Sequence, residues 1–437
     1  MKINEENKIR YEKMVKNVHN GEDMFLKIKD INTGLVRGES MSKLLCELPK
    51  NENKKKIKLL VISDYGEFVS ELKNIYGDDC EIYCVPTTYY GYIMCKFALS
   101  VYVDNPEDFV IFNMQKVSSL GFSDKYFKYI MKSKNMKFDI SIGNPPFGGD
   151  GNPLFMKIIR IIYDDYLTDK GIIRMVHPTT LIDNKFCLDV YSEYAYLKVV
   201  SFDYSKELRD IFSGANIGNG IGIFTYGKDG RNSLFDDEIR AIRYGSDYYK
   251  DKEIIEKILS NCDSDKTIRY NPKYVHISGN KETKVNELND TYNLFVSFAR
   301  NRGNIDKKTG GLKWDWTTLQ SDKYMKVLNK LDYICQNVVP VNNKKEGVDY
   351  IKWCATDFVN YIVLYFKNNM SNNPALFECI PQPIPSGDFS DESIMKHFGL
   401  SKEQMLYIHA KVKNYGWKAH YNCSEEEMLQ KIEEMNS

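Results

Sequence analysis

The 437-residue chain carries no net charge, with 60 Lys and Arg standing against 60 Asp and Glu. The global basic excess that marks many nucleic-acid binders is therefore missing, and any such role has to rest on local clusters. Long apolar runs are missing too. Nothing approaches the ~18–20 residues that a membrane helix needs, so no membrane partner is expected. The opening, MKINEENKIRYEKMVKN, lacks the apolar stretch of a signal peptide, and the expectation is a soluble protein of the cytoplasm. Cysteines at metal-binding spacing are absent. The ten cysteines are scattered, none falls in a C-x-x-C pair, and no His or second pair joins Cys80 and Cys84 to complete a zinc set. Reduced core thiols are expected, with no metal. No internal repeat of fixed period is visible.

What is present is ordinary globular material. Hydrophobics make up 43% and charged residues 27%, which argues against wholesale disorder. The length suggests two or three domains. Short apolar runs alternate with helical spacing through the first half. Ile57–Ser63, Glu81–Val85, Phe109–Asn113, Phe138–Ile142 and Gly171–Val176 read as strands, with helices over Glu67–Tyr76, Tyr90–Leu99 and Leu154–Leu167. Val199–Tyr204 and Ile217–Tyr226 read as late strands that close the sheet. This alternation predicts an α/β fold with a doubly wound, mostly parallel sheet, whose ligand site lies at the carboxyl ends of the strands.

Four segments are expected: an N-terminal helical segment over 1–50, a catalytic domain over 51–228, a second α+β domain over 229–390 and a helical tail over 391–437. In the tail, Asp391–Phe398 and Ser401–Tyr415 have helical spacing, and Ser401 with Gln404 forms a capping box.

The most informative residues are FDISIGNPPF, Phe138 to Phe147. A strand ends in a rigid Asn-Pro-Pro corner followed by an aromatic ring. An exocyclic amine needs acceptors for its two hydrogens. The Asn144 side-chain oxygen can take one and the Pro145 carbonyl the other. Pro145 and Pro146 restrict the backbone so that this carbonyl has little freedom. Phe147 offers a face for an extruded base.

FDISIGNPPF resembles motif IV of the amino-group DNA methyltransferases, the N6-adenine type especially. The flanks are similar to the gamma-class (Eco57I-like) modification methylases of restriction-modification systems. Asn152–Ile162 resembles the helix after motif IV, Gly171–Leu181 the strand and loop of motif VI, and Phe212–Tyr226 the late strands. Pro381–Tyr415 resembles the family's C-terminal tail, so the likeness covers most of the chain. It implies a Rossmann-like methyltransferase sheet followed by a target-recognition domain. The implied activity is methyl transfer from S-adenosyl-L-methionine to N6 of a flipped adenine in double-stranded DNA. The implied catalytic residues are Asn144, Pro145, Pro146 and Phe147.

The cofactor motifs depart from the family pattern. In KLLVISDYGEF, Gly66 and Phe68 match the second glycine and the aromatic of motif I. Asp64 stands where the first glycine belongs, and Leu60 stands at the strand-end acid. Val85, before Pro86, replaces the motif II acid, and Asn113 replaces the motif III acid. Ser63, Asp64, Gly66 and Asn113 are the candidate cofactor residues, with Asp64 as a possible acid in a shifted turn. A second reading follows from the same departures. The chain would be a catalytically silent methyltransferase-like subunit that binds DNA or an active partner methyltransferase or restriction subunit. Methylation of cytosine N4, of RNA or of a protein glutamine is a third.

For DNA the candidates are Arg300 and Arg302 in FARNRG, and Lys307, Lys308 and Lys313 in KKTGGLKWDW, where basic residues are interleaved with Trp314 and Trp316. A solvated loop with a buried Trp is the alternative. His177, before Pro178 in the motif VI loop, is a candidate contact to the target base or its sugar, against the alternative of a packed histidine.

Overall fold

The computed structural model describes residues 3–20, 36, 38–51, 56–134, 136–147, 153–179, 182, 194, 196–204, 221–228, 233–234, 236–245, 247–262, 274–277, 280–298, 304–305, 312–313, 325–332, 337–366 and 379–413. They group into two compact units, Met1–Leu181 with Asp189–Ile239, and Ile182–Leu188 with Arg240–Ser437.

The first unit is built on six strands: β1 (Ile57–Ile62), β2 (Cys80–Val85), β3 (Phe138–Gly143), β4 (Leu167–Pro178), β5 (Val199–Asp203) and β6 (Ile221–Gly227). Their order across the sheet is β2-β1-β3-β4-β6-β5. The pairs β1–β2, β1–β3 and β3–β4 are parallel, and β6 runs antiparallel between β4 and β5. β1 and β6 are near-continuous apolar runs because both faces are covered. On one face Leu59, Val61, Ile82, Cys84, Ile140, Ile142, Ile172 and Val176 meet α2 (Gly38–Leu45), α3 (Phe68–Tyr76) and α4 (Tyr89–Ser100). On the other, Phe155 of α7 (Leu154–Ile161) stacks on His177 of β4. In chain order α5 (Met114–Leu120) and α6 (Asp124–Lys132) follow α4, and the chain begins with α1 (Glu5–Asn20). This is the expected doubly wound, mostly parallel Rossmann-like sheet.

Two expectations change in detail. Phe109–Asn113 is not a full strand. It keeps one parallel bridge, Val110 to Cys84, because a 3-10 turn runs to Phe109 and Asn113 already caps α5. The helix expected over Leu154–Leu167 ends at Ile161, passes through a π turn at Ile162–Tyr166, and Leu167 starts β4.

Arg174 is the unusual residue in this core. It lies mid-strand in β4 between Ile172 and Val176 and is 1% exposed. Its guanidinium donates from Nε to the Leu44 carbonyl (2.7 Å) and from Nη2 to the Lys43 carbonyl (2.9 Å), both at the C-terminal end of α2. Nη1 reaches Glu47 (2.6 Å) and the Thr225 hydroxyl (2.6 Å). One charge thus caps a helix and ties it to the sheet.

In the second unit, β7 (Val275–His276), β8 (Phe295–Phe298), β11 (Met325–Leu328) and β12 (Asn337–Pro340) form an antiparallel sheet in the order β11-β8-β12-β7. β9 (Asn304–Ile305) and β10 (Leu312–Lys313) form a separate ribbon. The helices are α8 (Asp236–Tyr244, entering from the first unit), α9 (Tyr248–Ser260), α10 (Lys281–Thr291), α11 (Lys344–Cys354), α12 (Asp357–Phe366), α13 (Asp391–Phe398) and α14 (Lys402–Lys413). The segment set apart in the sequence as a helical tail gives Ile394, Phe398, Met405 and Ile408 to the same core as Trp353, Phe358 and Ile362. The capping box forms: Gln404 N–H donates to Ser401 Oγ (3.1 Å), and Ser401 N–H to Gln404 Oε1 (3.0 Å).

Candidate active site

The strand order reverses direction between β1 and β3, with β2 outward on one side and β4 on the other. In an open α/β sheet that switch point opens a crevice at the carboxyl ends of the two strands. The loops that meet there are Ser63–Glu67 after β1 and Asn144–Phe147 after β3, with Pro86–Thr88 after β2. Ile62, Val85 and Gly143 are level in the register, so the three loops leave the sheet at one height. Asn144 N–H donates to the Ile62 carbonyl (3.1 Å), extending the ladder one residue and fixing where the corner starts. Gly143 makes that contact possible. A Cβ there would lie 2.2 Å from the Ile62 carbonyl oxygen.

Asn144 is 9% exposed, and Pro145 and Pro146 are buried. Phe147 is half-buried, edge-to-face with Phe155 at 6.3 Å. Behind Phe155 lies His177, stacked at 4.7 Å, and behind His177 lies Phe224 at 4.0 Å. His177 is fully buried. Its Nδ1 lies 2.9 Å from the Pro178 carbonyl, which can only accept, so Nδ1 carries the proton; Nε2 then accepts from the Tyr226 hydroxyl at 2.9 Å. Burial lowers its pKa to about 3, and the ring stays neutral. The expectation of a rim histidine touching a base or sugar is corrected here. The packed alternative holds: His177 is a neutral wedge in the aromatic stack that supports Phe155 and, through it, Phe147.

The β1 turn is densely wired. Gly66 has φ +68°, and a side chain there would strike Ala98 Cβ at 2.7 Å, so the glycine serves both the turn and the packing of α4. Ser63 Oγ accepts from Tyr65 N–H (3.0 Å) and donates to Glu67. Asp64 is fully buried. Its carboxylate accepts from Thr87 N–H and Thr87 Oγ1–H, both at 2.6 Å, and from Thr88 N–H at 3.2 Å, at the N-terminus of α4. Gly91 leaves room for it, since a Cβ there would come 2.1 Å from Asp64 Oδ1. A helix N-terminus is where a buried carboxylate is best tolerated. The acid that the sequence lacks at the end of β2 is thus present in space, supplied by the neighbouring strand. Asn113, by contrast, spends its side-chain oxygen on the Lys116 N–H (3.0 Å) as the N-cap of α5.

Glu67, Thr87 and Thr88 were not among the residues singled out in the sequence. Thr88 carried a usable signal, as a Thr just before helical spacing, and it caps α4 by accepting from Gly91 N–H. Glu67 carried none, because nothing in a sequence shows a carboxyl folding back under its own turn. It is 9% exposed and accepts from Val36 N–H (3.3 Å) as well as from Ser63. Burial lifts its pKa to about 7, the Ser63 hydroxyl, its own backbone and the Val36 amide pull it down, and Asp64 pushes it up. Its share of stability is therefore complete below about pH 4.5 and lost as the pH rises through about 7. Unfolding measured from pH 5 to 8 is expected to show the wild type losing up to about 3 kcal/mol more than Glu67→Gln. Parallel pH profiles for the two proteins would contradict this assignment.

The glycine turn at the end of β1 and the polar corner on β3 suit a nucleoside-bearing sulfonium in kind, whereas the Asp64 carboxylate between β1 and β2 is buried and already taken by Thr87 and Thr88. Arg300, Arg302, Lys307 and Lys308, with Trp314 and Trp316, lie outside the described residues. Lys313 ends β10, paired with Asn304 of β9.

No family model matches the sequence, and no curated protein matches it. Solved structures similar to the chain include a candidate class I S-adenosylmethionine-dependent methyltransferase from Listeria monocytogenes. It is 10% identical, with 52% of this chain and 70% of that one covered at a TM-score of 0.35. A candidate RNA methyltransferase from Pyrococcus horikoshii is 14% identical, covering 46% and 91% at 0.30. Fibrillarin from Aeropyrum pernix, with natively bound S-adenosyl-L-methionine, is 14% identical, covering 42% and 71% at 0.27.

Proposed function

We propose that the chain is an S-adenosylmethionine-dependent methyltransferase that modifies N6 of an extruded adenine in duplex DNA. One observation carries the reading: the Asn144-Pro145-Pro146-Phe147 corner leaves β3 at the switch point, hydrogen-bonded to the last residue of β1. Bound at the β1 turn, S-adenosyl-L-methionine would supply an electrophilic methyl group. The chain's own residues hold the acceptor. Asn144 Oδ1 and the Pro145 carbonyl take the two amine hydrogens and aim the nitrogen lone pair. Phe147, backed by Phe155 and His177, stacks on the base. The amine loses one proton to solvent after transfer, so no buried general base is needed, and catalysis rests on orientation. Ser63, Gly66 and Asp64 form the cofactor side of the rim in this reading, with Asn113 at its outer edge.

A specific observation favours the silent-subunit reading as the second choice. Asp64 is fully buried and already engaged with Thr87 and Thr88, so the ribose side is closed. The test is incubation of the full chain with duplex DNA and labelled cofactor, followed by digestion to nucleosides. Label in N6-methyladenine is the expected result. Label in N4-methylcytosine, or only in RNA or protein offered in parallel, would overturn the acceptor assignment. No label in any acceptor would favour the silent subunit.

A further inference from the structure

The chain has no net charge, yet one stretch is strongly basic. Between Met114 and Lys137, across α5 and α6, six lysines stand against a single acid, Asp124. α6 is anchored from within. Tyr126, Phe127, Ile130 and Met131 are buried, and the helix packs beside α7, whose Phe155 supports Phe147. Lys125, Lys128, Tyr129 and Lys132 are exposed on its other face. Lys116 of α5 reaches across to that face, its Nζ 5.4 Å from the centre of the Tyr129 ring. Four ammonium groups thus share one surface. It starts at the rim, because Asn113 N–H donates to the hydroxyl of Tyr126, the residue after Lys125 (3.0 Å).

This pattern costs the helix something when it stands alone. Lys125 and Lys128 are three residues apart, and Lys128 and Lys132 four, so like charges occupy neighbouring positions and repel. α1 shows the self-sufficient arrangement, with Arg10 paired to Glu6 at 2.6 Å and Lys8 to Glu5 at 3.9 Å. In α6 the one acid, Asp124, lies in the first turn, where the helix dipole already favours a carboxylate. A face built this way is complementary to an external polyanion. From Lys125 to Lys132 the helix rises ~10 Å, about the length of three phosphates along one strand of a duplex at ~3.4 Å each. A membrane surface suits it less, because the apolar side of α6 is turned into the core and is not free to enter a bilayer.

From the lysine face of α6 and the Lys116–Tyr129 contact, we propose that this side of the first unit docks the phosphate backbone of duplex DNA beyond the base to be modified. Lys116, Lys125, Lys128 and Lys132 neutralise the phosphates. Duplex DNA as the polyanion rests on the function proposed above; the surface itself stands on charge and geometry. α6 leads directly into β3, so the docked backbone and the Asn144 corner are carried by consecutive elements.

The test is titration of the full chain with a short DNA duplex, without cofactor, over a range of salt concentrations. The triple variant Lys125→Gln/Lys128→Gln/Lys132→Gln is compared with the wild type and with Lys13→Gln/Lys16→Gln/Lys284→Gln, which removes the same charge from exposed positions elsewhere. Glutamine matches lysine in helix propensity, so both variants keep the fold. The α6 variant is expected to show a salt slope lower by about 2–3, close to one for each lost phosphate contact, and an affinity lower by about tenfold or more at about 0.1 M salt. The control should stay within about twofold of the wild type. An unchanged slope in the α6 variant, an equal fall in the control, or no DNA binding by the wild type overturns the surface. So does a loss confined to single-stranded RNA or to phosphatidylserine vesicles, with duplex binding intact. A lower slope in a chain that leaves no label in DNA would keep the surface and sink the methyltransferase reading. Label in adenine with an unchanged slope would do the reverse.

Discussion

Asn144→Ala is expected to lower the rate of methyl transfer by about 10²–10³-fold, the range seen when one preorganised polar group at a reacting centre is removed. The backbone should not move, because Asn144 is fixed through its N–H to Ile62 and alanine keeps that bond. Cofactor affinity should stay within about twofold, since in the proposed arrangement the side chain meets the acceptor amine. The loss then falls on turnover, and KM for cofactor barely changes. Asn144→Asp retains an acceptor oxygen and should keep more activity than the alanine variant. Equal activity in wild type and Asn144→Ala would remove the corner from the chemistry.

Arg174→Ala is expected to be the most destabilising single change in the first unit. The loss is about 3–5 kcal/mol, read as a lower midpoint in the chemical denaturation of that unit. The reasoning starts from what is left behind. The Leu44 and Lys43 carbonyls at the end of α2 lose their donors, Thr225 loses a partner, and a long buried side chain becomes a cavity. The ion pair to Glu47 contributes the smaller part, because the Glu47 side chain is 49% exposed and water screens it. The same variant should release α2 and speed amide exchange over Gly38–Leu45. Arg174→Met separates the two causes, since methionine refills most of the volume and supplies no donor. A loss below about 1 kcal/mol in both variants would show that α2 is held by its apolar face alone.

Much of the first unit was legible because its strands obey a simple rule. Runs such as IKLLVI and EIYCV are apolar on both faces, which only a covered parallel sheet explains, and their ends fell within a residue or two of the structure. Phe109–Asn113 broke the rule because its composition is that of a strand while its neighbours set its shape. The turn before it and the Asn113 cap after it leave room for one bridge. In the second unit α11 and α12 had no place in the sequence reading. Apolar positions run almost all round α12, nine of whose ten residues are buried, and a helix without a polar face has no periodicity to find.

The rim was half legible. The Asn-Pro-Pro corner announced itself because prolines and a preceding glycine restrict the backbone, and such restriction is written in residue types. The cofactor side was harder, because there the acid is displaced in sequence but not in space. Asp64 looked like an intruder at a glycine position, yet its carboxylate lies beside Thr87 and Thr88 at the end of β2. His177 misled in the opposite way. A His-Pro pair at a strand end looks exposed, and only the flanking rings of Phe155 and Phe224 show that it is buried.

The central claim is that the switch point between β1 and β3 forms one site for cofactor and amine. It is tested most directly by calorimetric titration of S-adenosyl-L-methionine into the full chain, beside the Asp64→Gly variant. The account predicts saturable heat in the micromolar range for the wild type, and little change in the variant, because the Asp64 carboxylate is buried against Thr87 and Thr88. No heat from the folded wild type at millimolar cofactor would contradict the account, and recovered binding in Asp64→Gly would identify Asp64 as the plug of a silent site.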